Sequence, residues 1–179
     1  LLGISEIVDG KLFERVHPCL VNKDSYIGNV NGVMNAVITE GEPVGESVLQ
    51  GEGAGPGPTS SALMSDLLSI LRGNIKFPFG IPNIKRKSIK VFNYDNYINS
   101  LYLRFEVKDK PGVLAQITNR LAFKNISVER LIQIPNYKNK TASIVIITHK
   151  SKELDAQHCI NAISKSKNIL KYPTLIRLL

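Results

Sequence analysis

Three features of the sequence have residue types and spacing that could do chemistry. The first is Gly51-Glu-Gly-Ala-Gly-Pro-Gly-Pro-Thr59, which enters an apolar run of helical period. A glycine loop ahead of a helix can offer backbone N–H groups and the helix dipole to an anion. The dinucleotide pattern G-x-G-x-x-G fails here: its third glycine position falls on Pro56 or Pro58, and no Walker A lysine follows. A tight strand-to-helix turn that needs small residues for close packing gives the same spacing. The second feature is Asp109-Lys-Pro-Gly-Val-Leu114. There Gly112 would let the backbone approach a ligand, and the N–H groups of the following helix could face a carboxylate. A structural turn and helix start with no ligand is the plain alternative. The third is His17, the one residue type that titrates near neutrality unaided and so a candidate general acid or base. Standing before Pro18 at a strand end, it also reads as structural.

Other reactive side chains do not cluster. His149 and His158 are isolated, and Cys19 and Cys159 match no metal spacing. Neither a metal site nor a disulfide framework is expected, and a reducing cytosol is the expected compartment. Asp24, Glu40 and Glu42 read as solvated turn acids.

The elements that must position these residues divide the chain in two. Residues 1–75 hold four bases and nine acids, net −5, and residues 76–179 hold 19 bases and six acids, net +13. Such a sign change suggests two units. It falls in a basic stretch, 76–95, with Pro78, Gly80 and Pro82, which reads as a linker and not as regular helix. Its bases could contact phosphate; a solvated connection is the simpler reading.

In residues 1–75, Leu1 to Ile7 reads as a buried strand. Asp9-Gly10 is a hairpin turn, and Lys11 to His17 is a half-buried strand. Residues 18–31 form an irregular connection. Val33–Thr39 and Gly45–Gln50 are strands joined by a turn. A helix follows with a wide apolar stripe of Ala62, Leu63, Met64, Leu67, Leu68, Ile70 and Leu71, which implies burial on more than one side. Thr59 or Ser60 should cap its start and Gly73 should stop it. Hairpin-linked strands argue against a nucleotide-binding βαβ unit.

Residues 96–179 read as strand 100–108, helix from Val113, strand 126–134, strand 141–148, a helix capped by Ser151, and strand 170–179. The order β-α-β-β-α-β is the ferredoxin-like split unit, four antiparallel strands with two helices on one face. The central strand Ser143-Ile-Val-Ile-Ile-Thr148 has no aromatic residue. RNA-binding modules of this fold stack bases there, so nucleic acid is not an expected partner.

The whole chain has 179 residues, 43% apolar and 21% charged, the composition of a folded globular protein. No apolar run approaches the roughly 18 residues of a membrane span, and no signal peptide opens the chain. No membrane partner is expected, and the expected location is cytoplasmic. The chain starts in an apolar run without Met, and it is expected to be part of a longer protein.

The stretches Val16-His17-Pro18, Asn31-Gly32-Val33-Met34-Asn35-Ala36-Val37 and Gly51 to Ala62 resemble, in order and spacing, the C-terminal portion of homoserine dehydrogenase. Asp109 to Leu114, with Gln116-Ile117 and Asn125-Ile126-Ser127, resembles an ACT domain. The expected fold class is therefore α+β: a partial mixed or antiparallel sheet with a packed helix, then a ferredoxin-like ACT domain. The expected boundaries are 1–75 for the end of the substrate and dimerisation domain, 76–95 for the linker and 96–179 for the ACT domain.

The resemblance implies an oxidoreductase that interconverts L-homoserine and L-aspartate 4-semialdehyde with NAD(P) as cofactor, in threonine and methionine biosynthesis. It places Gly53, Ala54, Gly55 and Thr59 against the cofactor in the full-length enzyme. The family's catalytic lysine and nucleotide domain would lie upstream, so this portion alone is expected to bind no cofactor and to be inactive. The ACT resemblance assigns effector contacts to Asp109, Gly112, Val113 and Leu114, and more weakly to Asn125 and Gln133. Threonine is the expected effector, and a homo-oligomer, dimer or tetramer, the expected assembly. The competing reading is a non-enzymatic amino-acid-binding regulatory or assembly module.

Overall fold

A computed structural model describes residues 1–74 and 80–179. The linker residues Lys76 to Phe79 lie outside the described residues. Two compact units emerge. Leu1–Leu20 with Ile89–Leu179 form one, and Val21–Ser88 the other. Compactness thus follows a different line from the charge boundary: the first hairpin belongs with the C-terminal unit.

That unit is built on strands β1 (Leu2–Val8), β2 (Lys11–His17) and β3 (Cys19–Leu20), followed much later by β6 (Ile98–Asn99), β7 (Leu101–Lys108), helix α2 (Val113–Phe123), β8 (Val128–Asn136), β9 (Thr141–Thr148), β10 (Ser151–Lys152), helix α3 (Glu153–Ser164) and β11 (Thr174–Leu178). Its main sheet has the order β3-β11-β7-β9-β8. Four strands are antiparallel, as the split unit requires, and β3 adds a parallel fifth against β11.

Alternation makes the core. Leu101, Leu103, Phe105 and Val107 face inward from β7, and Ala142, Ile144 and Ile146 from β9. The helical stripes Val113-Ile117-Leu121 and Ala156-Cys159-Ile160-Ile163 close over them. These two stripes follow the sequence periodicity. The element ends shift: β8 starts at Val128, not Ile126, and runs through Pro135 to Asn136. Pro135 is tolerated because β8 is an edge strand, where a missing donor leaves no ladder bond unmade. β11 begins only after Pro173.

Asp9-Gly10 makes the expected two-residue turn, with φ of 50° and 69°, joining Val8 to Lys11. The buried face of β2 carries Phe13, Arg15 and His17, while Val16 is 71% exposed. The expectation that Leu1 to Ile7 is buried is not met. β1 pairs only with β2, and Ile7 lies open.

The second unit holds β4 (Met34–Gly41) and β5 (Gly45–Glu52), paired in register from Met34–Glu52 to Gly41–Gly45, and helix α1 (Pro56–Leu71). Two expectations for α1 are corrected. It starts at Pro56 after Gly55, because proline presets the helical φ at the first position. Thr59 and Ser60 are thus inside it, and Ser60 Oγ donates back to the Pro56 carbonyl at 2.5 Å. The stripe is also open rather than buried, with Leu63 67% exposed, and no residue of α1 is buried among the described residues. Gly73 stops the helix as expected, with φ 72°; its N–H donates to the Ile70 carbonyl and the Asn74 N–H to the Ser69 carbonyl, both at 2.9 Å.

Candidate functional site: the turn between β7 and α2

The predicted effector turn lines a cavity of about 390 Å³. Its walls come from Val107 to Leu114, with Gln133 of β8 and Ile144 of β9. The sheet sets this geometry. β7 ends at Lys108, the Asp109 N–H donates to the Lys140 carbonyl at 3.0 Å, and the chain turns over Lys110-Pro111. Gly112 then takes φ 84°, ψ −12°, left-handed backbone that glycine adopts without Cβ strain. It serves as the N-cap of α2, and no side chain caps that helix start. The Val113 N–H donates to the Lys110 carbonyl at 3.3 Å, and the Leu114 N–H retains donor capacity at a cavity wall.

Five of the six expected effector residues, Asp109, Gly112, Val113, Leu114 and Gln133, are brought together here. Asn125 is not among the lining residues. With φ 53°, it ends α2, and the Ile126 N–H donates to the Leu121 carbonyl at 2.9 Å. Gln133 and Ile144 reach the cavity because β8 and β9 pair antiparallel beside β7, with Gln133 opposite Ile144. Lys108 and Lys110 add cationic groups beside Asp109. The turn motif gave no signal for either lysine as a cavity residue.

Gly53, Ala54 and Gly55 lie on the exposed bend from β5 into α1, and Thr59 is an exposed residue at the start of α1 itself. The Gly53 N–H donates to the Val33 carbonyl at 2.8 Å. A Cβ at Gly53 would stand 1.4 Å from Asn35 Nδ2, so the Asn35 side chain would have to move aside for it, and Gly55 has φ 120°, a backbone that favours glycine. Pro56 and Pro58 carry no N–H, and the Thr59 N–H already donates to the Gly55 carbonyl at 3.2 Å. With those donors missing or taken, the loop offers few N–H groups to a phosphate.

His17 is buried, with Nδ1 2.9 Å from the Pro18 carbonyl oxygen and 3.2 Å from Cys19 Sγ. Burial pushes its pKa down, against the helping effect of the Pro18 carbonyl.

The sequence reading missed a buried polar cluster elsewhere in the same unit. Glu153 is 0% exposed. It accepts from Arg177 Nη2 at 2.5 Å and Nε at 3.2 Å, from Asn99 Nδ2 at 3.0 Å and from Gln157 Nε2 at 2.9 Å. Burial alone would raise the carboxyl, but the bonds from Arg177, Gln157, Asn99 and Tyr94 hold it at about 2. Tyr94 is pushed up to about 12, first by burial and then by Glu153. One signal was available: Glu153 falls on the stripe of Ala156, Ile160 and Ile163, one turn earlier. Ser151 does not cap α3; it pairs with Asn99 in a short ladder, and Lys152 is the N-cap.

A β-α-β-β-α-β sheet with a cavity at its first strand-to-helix turn defines a ferredoxin-like split domain. Comparison with known sequences makes this specific. The chain joins a homoserine dehydrogenase family segment, matched over residues 2–68, to an ACT domain, matched over residues 101–167. It is 36% identical to a homoserine dehydrogenase of Neisseria gonorrhoeae, covering 99% of this chain and 42% of that protein. A relative from Synechocystis is 33% identical over 92% of this chain and 39% of its own length. The crystal structure of a homoserine dehydrogenase from Thiobacillus denitrificans superposes with a TM-score of 0.85, at 30% identity, over 99% of this chain and 41% of that one. The chain thus corresponds to a C-terminal portion and spans about two fifths of these relatives' length. Among the described residues, no helix is long and apolar enough to cross a membrane, and no group of three His, Cys, Asp or Glu could hold a metal.

Proposed function

We propose that this chain supplies the end of the substrate domain and the regulatory ACT domain of a cytoplasmic homoserine dehydrogenase. The full enzyme would interconvert L-homoserine and L-aspartate 4-semialdehyde with NAD(P). The observation that carries the regulatory half is the cavity at Asp109–Leu114, where five expected effector residues meet. An amino acid suits its chemistry. The carboxylate would take the Leu114 N–H and a lysine, and the ammonium group would take Asp109 and Gln133. Threonine is the effector we propose, acting by favouring one arrangement of a homo-oligomer over another; equal affinity for both would inhibit nothing.

For the catalytic half, Gly53, Ala54, Gly55 and Thr59 would lie against the cofactor. The exposed bend supports close approach of a ring or ribose. The cofactor would accept hydride from homoserine or return it to the semialdehyde; this chain's part would be to shape the surface on which the cofactor rests. The portion by itself would bind no cofactor and would be inactive.

The test is kinetic. In a full-length enzyme carrying this segment, L-threonine should inhibit NAD(P)-dependent oxidation of L-homoserine. Gly112→Val should raise the half-inhibitory concentration about tenfold or more, the equivalent of roughly 1.4 kcal/mol of lost binding. Unchanged inhibition in that variant would overturn the effector site. Absence of homoserine oxidation would overturn the enzyme reading.

A further inference from the structure

The cluster around Glu153 joins stretches far apart in the sequence. Glu153 starts α3 and Arg177 lies in β11, both beside the ACT core, whereas Arg15 comes from β2. Arg15 reaches Glu153 at 3.9 Å, donates to the Tyr94 hydroxyl, and lays its guanidinium 4.2 Å from the Tyr94 ring centroid. Arg177 donates to the same hydroxyl at 2.6 Å. Two arginines thus share one tyrosine and one buried carboxylate. Arg15 Nη1 is buried without a hydrogen-bond partner. Such a cation is tolerable only while the Glu153 anion stays beside it.

Two further sets of contacts fasten the same stretch. Phe13 stacks on Tyr97 at 4.0 Å and meets Phe92 edge-on at 6.2 Å, while Leu12 exchanges backbone bonds with Lys90 and Phe92 at 2.9 and 2.8 Å. β3 then joins the main sheet, with Cys19 opposite Arg177 and Leu20 opposite Leu178. Arg177 is common to both: its backbone pairs with β3 and β7, and its side chain holds Glu153.

We propose that this cluster is a lock that makes residues 1–20 part of the ACT body, so that hairpin β1–β2 and the ACT sheet open and move together. The family boundary and the mechanical boundary then differ. The first twenty residues of the dehydrogenase segment ride on the ACT domain, through which a change at the sheet would reach that segment. β7 spans the distance. Its Lys108 end borders the cavity and its Leu101 end pairs with Arg177, about 25 Å apart for eight extended residues. The lock stands whether or not the cavity takes an amino acid.

Native-state amide hydrogen exchange in rising urea tests it on this chain. In the unmodified chain, the β1–β2 amides should open with the same free energy and urea dependence as those of Ile144 and Ile146. In Arg15→Gln, the amides of residues 2–20 should exchange about tenfold or more faster, with Ile144 and Ile146 within about twofold. A hairpin that already opens by itself in the unmodified chain would overturn the lock. So would hairpin protection unchanged in Arg15→Gln, or a rise shared equally by every strand. The unmodified chain decides the matter even if Arg15→Gln fails to fold.

Discussion

Glu153 shows how one residue can have a meaning that its local context hides. In sequence it is a favourable acid in the first turn of a helix, and it is that. It is also a fully buried anion between two arginines, a role set by β2 and β11, which are 138 and 24 residues away at Arg15 and Arg177. Removing the anion leaves two cations facing each other. Glu153→Ala should therefore cost about 3–5 kcal/mol in denaturant unfolding. The pH dependence has a definite sign. The folded carboxyl sits at about 2, below its ordinary 4.5, so its stabilisation is complete above pH 4.5 and is lost as the pH falls toward 2. In Glu153→Gln, the acid limb of the stability profile should be shallower over that window. An unchanged limb would show that Glu153 does not carry it. Gly112 is the opposite case, legible from its type alone. With φ 84°, Gly112→Ala should destabilise the chain by about 1 kcal/mol, read from the same unfolding curves.

At the scale of elements, periodicity proved a better guide to existence than to burial. The stripes of α2 and α3 face the sheet as their spacing requires. The stripe of α1 is as apolar as theirs and lies open, because a period of 3.6 says that a face is apolar but not that this chain covers it. The two cases should separate on substitution. Leu63→Lys on α1 should change unfolding free energy by less than about 0.5 kcal/mol. Ile144→Ala in β9 should cost about 2–5 kcal/mol, since it opens a cavity against α2 and α3. Equal costs would mean that the open face of α1 is packed in solution. Element ends were the least legible. Pro56 moves the start of α1 ahead of Thr59, and the edge position of β8 lets Pro135 remain in a strand.

Over the whole molecule, the β-α-β-β-α-β order and the turn at Asp109–Leu114 could be read from sequence because both are local patterns repeated in series. The assignment of residues 1–20 to the C-terminal unit could not, since it depends on pairings such as Cys19 with Arg177. Large apolar side chains also remain exposed on β8 at Ile132 and Ile134, and on β4 and β5 at Val37 and Leu49. The proposed homo-oligomer would pack through faces of this kind. Light scattering at micromolar concentration should give a multiple of 19.8 kDa, and a monomer would remove the homo-oligomer from the account.

The central claim is that the cavity at the β7–α2 turn receives an amino-acid effector. Titration calorimetry of this chain with L-threonine, using L-methionine, L-isoleucine and L-serine as controls, tests it most directly. The account predicts saturable heat with threonine that Gly112→Val abolishes. Heat with none of the four amino acids would contradict it.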